Sequence, residues 1–108
     1  MSISAAMGIS LSGMQAETRR ISTAAHNIAN AETNGYNRLT TQFSSQTNGG
    51  VSANVTPSSS ATSPDGSNVD LGSEMLDVIG ASQGFKANAA VFETGADMWD
   101  VLMTMVRD

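Results

Sequence analysis

The strongest constraint on this chain is a stripe. Stepping alternately four and three residues from Leu71 gives Met75, Val78, Ser82, Phe85, Ala89, Phe92, Ala96, Trp99, Met103 and Val106. Eight of these eleven positions are large apolar residues, whereas Glu74, Asp77, Lys86, Glu93, Asp97 and Asp100 all fall off the stripe. A 3.5-residue apolar repeat with charges excluded from it predicts one long helix with a coiled-coil seam, to which Leu102 adds a further apolar contact. Taken as helix from residue 70, it runs about 37 residues, or roughly 55 Å. A rod of that length is rare inside a globule of 108 residues.

A second, weaker stripe lies at the other end of the chain. Ile3, Met7, Leu11, Met14, Thr18, Ile21, Ala25 and Ile28 are again spaced by four or three, alternating from Met7 onward. Gly8 and Gly13 each cost about 1 kcal/mol of helix propensity relative to Ala, so this segment needs a partner to order. The helical pattern ends near Asn30, and Asn34-Gly35 follows, a dipeptide that accepts the positive φ of a tight turn. Tyr36 sits just past that turn, where its ring can pack back on the helix end.

Between the stripes, residues 44–68 are dominated by Ser, Thr, Asn, Gly and Pro, with Asp65 the only charge. Val51, Ala53 and Val55 alternate with Ser52, Asn54 and Thr56, which allows one short strand, and Pro64-Asp65-Gly66 supplies turn chemistry. Such a stretch has too little apolar surface to offset its own ordering entropy. The expected fold class is therefore all-α: two long terminal helices in a coiled-coil-like hairpin, joined by a Ser/Thr/Gly-rich connector with room for a small β-hairpin. Three segments follow, an N-terminal helix plus turn (1–43), the connector (44–68) and the long C-terminal helix (69–108). The apolar side chains of two helices offset little of the cost of ordering them, which favours an assembly subunit over a self-sufficient globule.

Charge and composition exclude several classes. Five basic residues against ten acidic ones give a net charge of −5, which argues against a nucleic-acid or anionic-membrane surface. Residues 1–43 carry a net +1, from three Arg and two Glu, while residues 65–108 carry −6, from two basic and eight acidic residues. Ends of opposite sign attract each other, or each other's copies. Cysteine is absent, so no disulfide, thiolate nucleophile or thiolate metal site is available. No basic-then-apolar leader and no apolar run near 20 residues stands out, so neither a cleaved signal nor a membrane span is expected.

Candidate chemistry is sparse. The single histidine, His26, has no acid at i+3 or i+4 to make a dyad or metal pair, and is read as structural. Glu74 with Asp77 and Asp97 with Asp100 are spaced three apart and are read as a solvated acidic helix face rather than a cation site. Gly80 and Gly84 would admit a close backbone approach or a kink. The seven Met residues, partly on the stripes, read as adaptable core, and Trp99 as a packing anchor or an external binding residue. Asn54-Val55-Thr56 matches a glycosylation sequon without a secretory signal to support it. No catalytic residue, cofactor site or metal site is expected, and no small-molecule substrate.

One run is more specific. Ala25-His26-Asn27-Ile28-Ala29-Asn30-Ala31-Glu32-Thr33-Asn34-Gly35-Tyr36 resembles the N-terminal signature of the bacterial flagellar axial proteins, the rod, hook and hook-associated subunits, with Asn34 where the family usually has Pro. Glu74-Met75, Ala87-Asn88-Ala89 and Phe92-Glu93-Thr94 followed by Asp97-Met98 resemble the C-terminal end of the same family. With only a short segment between the arms, the resemblance is to the small proximal rod members. It implies a non-enzymatic structural subunit of the basal-body rod, crossing the periplasm and exported without a cleaved signal through the flagellar type III export apparatus. Its implied partners are copies of itself and other flagellar rod proteins. Carried over by position, Asn27, Ala29, Asn30, Gly35 and Tyr36 shape the first helix end and its turn, and Phe85, Asn88, Phe92, Thr94 and Met98 lie in subunit contacts. The other stripe residues would join those contacts. A secreted helical-hairpin protein or a coiled-coil export chaperone or regulator would share the helices but leave the signature unexplained.

Overall fold

The structure, a computed structural model, describes residues 2–107. Helix α1 spans Ile3–Ala29, strand β1 Leu39–Ser45, strand β2 Val51–Pro57 and helix α2 Leu71–Arg107. Both helices lie where the apolar periods put them. Ser2 caps α1 by accepting the Ala5 N–H at 3.0 Å, and Asp70 caps α2, accepting from Gly72 N–H and the Ser73 hydroxyl. The helices run antiparallel over most of the length of α1. A Cα trace of 70 × 25 × 13 Å makes the molecule a ribbon rather than a ball. Among the described residues, no helix is long and apolar enough to cross a membrane.

The chain is not all-α. Two seven-residue strands form an antiparallel hairpin in register from Leu39↔Pro57 to Ser45↔Val51. The Val51-Ala53-Val55 alternation provides β2, and β1 grows from Leu39-Thr40-Thr41-Gln42-Phe43, whose β-branched and aromatic residues suit a pleated surface. Gly49 and Gly50, with φ of 91° and 95°, close the loop between the strands. A two-stranded hairpin is marginal alone; here α1 supports it. Ser12 accepts the Val51 N–H at 3.1 Å, Arg19 donates to the Ala53 carbonyl, and Ala53 itself is buried. The helical periods carry no sign of that support, which is why they lead to an all-α expectation.

The seam between the helices also differs from the apolar stripes. Along α1 one row of residues, Ser10, Gly13, Glu17, Arg20, Ala24 and Asn27, is opposed by Asn88, Gly84, Ala81, Asp77 and Glu74 on α2, while the buried Ala16 and Thr23 lie off this row. On both helices this set runs one residue before the apolar stripe. A Cβ added at Gly13 would lie 2.6 Å from the Asn88 side chain, and one at Gly84 2.5 Å from the Glu17 carboxylate. From Gly13 to Asn27 the helices therefore meet through small and polar residues, whereas nearer the start of α1 a stripe residue enters the contact: Met7 lies against Gly95, where an added Cβ would fall 2.6 Å from its Cγ. Stripe residues flank the contact, and many of them are exposed.

Candidate functional site

A polar junction ties the C-terminal end of α1, the start of β1 and the first turns of α2 together. Asn27, fully buried, is its centre. Its Nδ2 donates to the Leu39 carbonyl at 2.8 Å and to Glu74 Oε1 at 3.1 Å, while its Oδ1 accepts from Leu39 N–H and Tyr36 O–H, both at 2.8 Å. All four hydrogen-bonding positions of the carboxamide are used. Toward Leu39 the side chain takes the part of a neighbouring strand, engaging both N–H and C=O.

Glu74 is 1% exposed, and burying a carboxylate is costly unless it is paired and hydrogen-bonded. Arg38 Nε donates to the same Glu74 oxygen as Asn27. From there the charges form a chain: Arg38 Nη2 reaches Asp77 at 3.4 Å, Asp77 accepts from Arg20 at 2.9 Å, and Arg20 lies 3.6 Å from Glu17. Both basic partners come from the first 38 residues of the chain, and Glu74 and Asp77 come from α2. Glu74 and Asp77 therefore do not belong to a solvated acidic face. They sit on the true seam, one residue from the stripe that the apolar period singles out.

The turn between α1 and β1 is built to present Tyr36 to this junction. Asn30 ends the helix, its side chain donating to His26 O and accepting from Thr33 Oγ1. Gly35 adopts φ 74° and donates its N–H to Gly66 O at 2.8 Å, pinning the turn to the returning chain. Tyr36 gives its only hydroxyl hydrogen to Asn27, so His26 Nδ1, 2.8 Å away, is the donor to the phenol oxygen. Burial, followed by the nearby Glu74 carboxylate, raises the Tyr36 pKa above its ordinary value. The returning segment is tied on as well: Asn68 accepts from Arg38 N–H and donates to Asn37, and Ser67 donates to the Ala31 carbonyl.

The structure gathers some of the residues singled out by sequence and disperses others. Asn27, Asn30, Gly35 and Tyr36 meet at the junction, while Ala29 is exposed beside it. Asn88 lies in the seam against Gly13, its Nδ2 donating to Gly84 O. Thr94 bonds back to Ala90 O and, with Met98, lines a shallow apolar groove beside Ile3 and Ala6. Met7, Met14, Ile21, Val78 and Phe92 are half-buried. Leu11, Ile28, Leu71, Met75, Phe85, Trp99, Leu102, Met103 and Val106 are exposed. Arg20, Arg38, Glu74 and Asp77 are the site residues that sequence reasoning missed as a set. Their signal was the opposite charge of the two ends, which names an attraction but not its members. Among the described residues no cluster of His, Cys, Asp or Glu could hold a metal ion, and the junction's geometry serves to lock three segments in one relative position.

Comparisons with known proteins fall on the same two ends. Residues 7–37 match the family described as flagella basal body rod protein. Residues 65–105 match the one described as flagellar basal body rod FlgEFG protein C-terminal. The flagellar hook protein FlgE of Rhizobium meliloti (strain 1021) is 53% identical over 45 residues, 42% of this chain and 11% of that protein. FlgE of Brucella abortus biovar 1 (strain 9-941) is 56% identical over 45 residues, with the same shares of the two chains. The aligned segment thus spans about a tenth of the length of these curated relatives. Most of the junction's side chains lie inside the two family matches, Asn27 and Tyr36 in the first and Glu74 and Asp77 in the second, while Arg38 and Leu39 follow directly after the first.

Proposed function

The chain belongs to the family of bacterial flagellar axial proteins, and on that premise we propose that it is a structural subunit of the flagellar axis, packing by its terminal helices into the tubular shaft that transmits torque. The observation that supports this reading most is the displaced seam. From Gly13 to Asn27 the two helices are held together by small and polar residues, so most of their large apolar side chains are left wholly or partly free for neighbours. No turnover is required; many small packing contacts that must shear together resist twist.

Within that reading the rod is the segment proposed, with copies of this chain and other rod subunits as partners. The type III export apparatus would be the route across the inner membrane. The residues proposed for subunit packing are the stripe residues together with Leu102. A hook position is the second reading, favoured by the FlgE relatives over 45 residues of this chain. Electron microscopy of basal bodies from cells lacking the gene separates the two. Loss of the rod supports the first reading, a complete rod without a hook supports the second, and intact flagella overturn both. Leu102→Asp, in a stretch of α2 that extends past the start of α1, is expected to abolish motility while leaving synthesis and helix content intact. Phe92→Asp should do the same, and normal swimming in both would refute helix packing as the mode of assembly.

A further inference from the structure

We propose that Asn34 is a self-modification site gated by the fold: its carboxamide is attacked by the backbone nitrogen of Gly35 when the returning segment around Gly66 lets go, and stays intact while that segment holds. The reaction needs no partner, so it stands apart from the structural-subunit reading. The dipeptide supplies the chemistry. Gly35 has no side chain to screen its nitrogen from Asn34 Cγ, and both residues are exposed. The Gly35 nitrogen, on losing its proton, bonds to Asn34 Cγ. The Cγ–Nδ2 bond breaks, and ammonia leaves carrying a proton in place of the one lost. Water then opens the cyclic imide at either carbonyl. One route leaves aspartate at residue 34; the other leaves isoaspartate, whose main chain runs through the β-carbon and is longer by that atom.

The proton that must leave is the one the fold uses. Gly35 N–H donates to the Gly66 carbonyl at 2.8 Å, and Tyr36 N–H closes the turn on the Thr33 carbonyl at 3.2 Å. With Gly35 at φ 74° and no positive φ at Asn34, this is the geometry of a type II turn. The clasp on Gly35 is itself held: Ser67 donates to the Ala31 carbonyl, and Asn68 accepts from Arg38 N–H and donates to Asn37. A bonded N–H gives up its proton when its bond opens, so the rate at Asn34 follows the opening of residues 66–68. The chain carries its own reference, because Thr33-Asn34-Gly35 recurs as Thr47-Asn48-Gly49. There Gly49 N–H donates to the Gln46 carbonyl at 3.1 Å, within the hairpin loop, so that site answers to the loop and not to residues 66–68. Modification at Asn34 is not silent. An extra main-chain atom between Asn30, which ends the helix, and Tyr36 carries the phenol away from Asn27 and His26. A chain that lingers open and takes the isoaspartate route can no longer rebuild the junction.

The test incubates the full chain at mildly alkaline pH, folded and in urea, and follows deamidation at each asparagine by peptide mass spectrometry, with isoaspartate read by enzymatic methylation. In urea the two Thr-Asn-Gly sites should react at similar rates. Folding should slow Asn34 by about tenfold or more, and by more than it slows Asn48. Ser67→Ala, which loosens the clasp, should raise the rate at Asn34 severalfold in the folded chain and leave Asn48 unchanged. The chain carrying isoaspartate at residue 34, separated and refolded, should show a lower denaturation midpoint than the unmodified chain. No reaction at Asn34 in urea would remove the site. Equal rates at Asn34 in the folded and urea samples, or a response to Ser67→Ala that is absent or shared with Asn48, would overturn the gate. An unchanged midpoint in the isoaspartate chain would overturn its effect on the junction.

Discussion

At Asn27 one carboxamide fixes two unlike neighbours at once, the edge of a strand and a buried carboxylate. Replacing it by Ala leaves Leu39 N–H and C=O, Tyr36 O–H and one of the bonds to Glu74 without a protein partner. The expected cost is about 3 kcal/mol, because orphaned buried groups forfeit their solvation as well as their bonds. Chemical denaturation measures it, with loss of amide protection at Leu39 as the local sign. Arg38 is the next most sensitive position. Arg38→Met strands Glu74 and should cost about 3 kcal/mol, whereas adding Glu74→Leu to it should recover most of that loss, since a buried pair replaced by apolar groups is often neutral. Tyr36, the single tyrosine, reports on the junction by itself. Its folded pKa lies above the ordinary value of 10.0, so the folded state holds its proton more tightly than the unfolded state does. Stability is then fully present below pH 10 and declines as pH rises from there through the folded pKa. Tyrosinate absorbance in the folded chain should show a midpoint above that of the denatured chain, and Tyr36→Phe should abolish that part of the alkaline decline.

The two helices are elements of different character joined by a narrow contact. Their approach depends on glycine, and only at some positions. Gly8 has nothing within 4 Å of an added Cβ, so Gly8→Ala should stabilise α1 by about 1 kcal/mol through helix propensity alone. Gly13 faces Asn88 at 2.6 Å, so Gly13→Leu should force the helices apart and cost about 2 kcal/mol despite the same gain in propensity. Thermal melts followed by circular dichroism compare the pair, and equal effects at the two sites would refute the close seam. The hairpin is the dependent element. Its hold on α1 through Ser12 and Arg19 and its hold on the junction through Asn27 lie at opposite ends, which sets its direction along the helix.

At the scale of the whole molecule, a ribbon 13 Å thick in its Cα trace has little interior, and its largest fully buried side chains are Glu74 and Asn27. Cohesion within the chain is polar and specific; the apolar surface is turned outward. The last two turns of α2 show this most plainly. Val101, Leu102, Met103, Met105 and Val106 are 42–79% exposed and lie on several sides of the helix. A helix apolar on most sides is normally buried. Deleting the chain from residue 101 onward should therefore leave the folded monomer's stability within about 1 kcal/mol, because residues 101–106 are all exposed. Assembly should nevertheless be lost, as measured by sedimentation and by recovery of the variant in basal bodies.

Periodicity alone located both helices, because a 3.5-residue apolar repeat survives any choice of partner, and the run from Asn27 to Tyr36 marked the turn that ends the first. It could not say which way the stripes face. That depends on whether the helices meet through large side chains or through glycine and buried charge, and one residue of register, about 100°, decides between them. Nor could it find the ion-pair chain, whose members lie far apart in sequence: Arg20 is 57 residues from Asp77, and Arg38 is 36 from Glu74. The Thr-rich, alternating middle segment allowed a strand, yet only contact with α1 makes a two-stranded hairpin stable enough to form. Local pattern fixed the two helices; packing chose the seam and the hairpin, because shape and charge complementarity are properties of pairs of surfaces that no single segment carries.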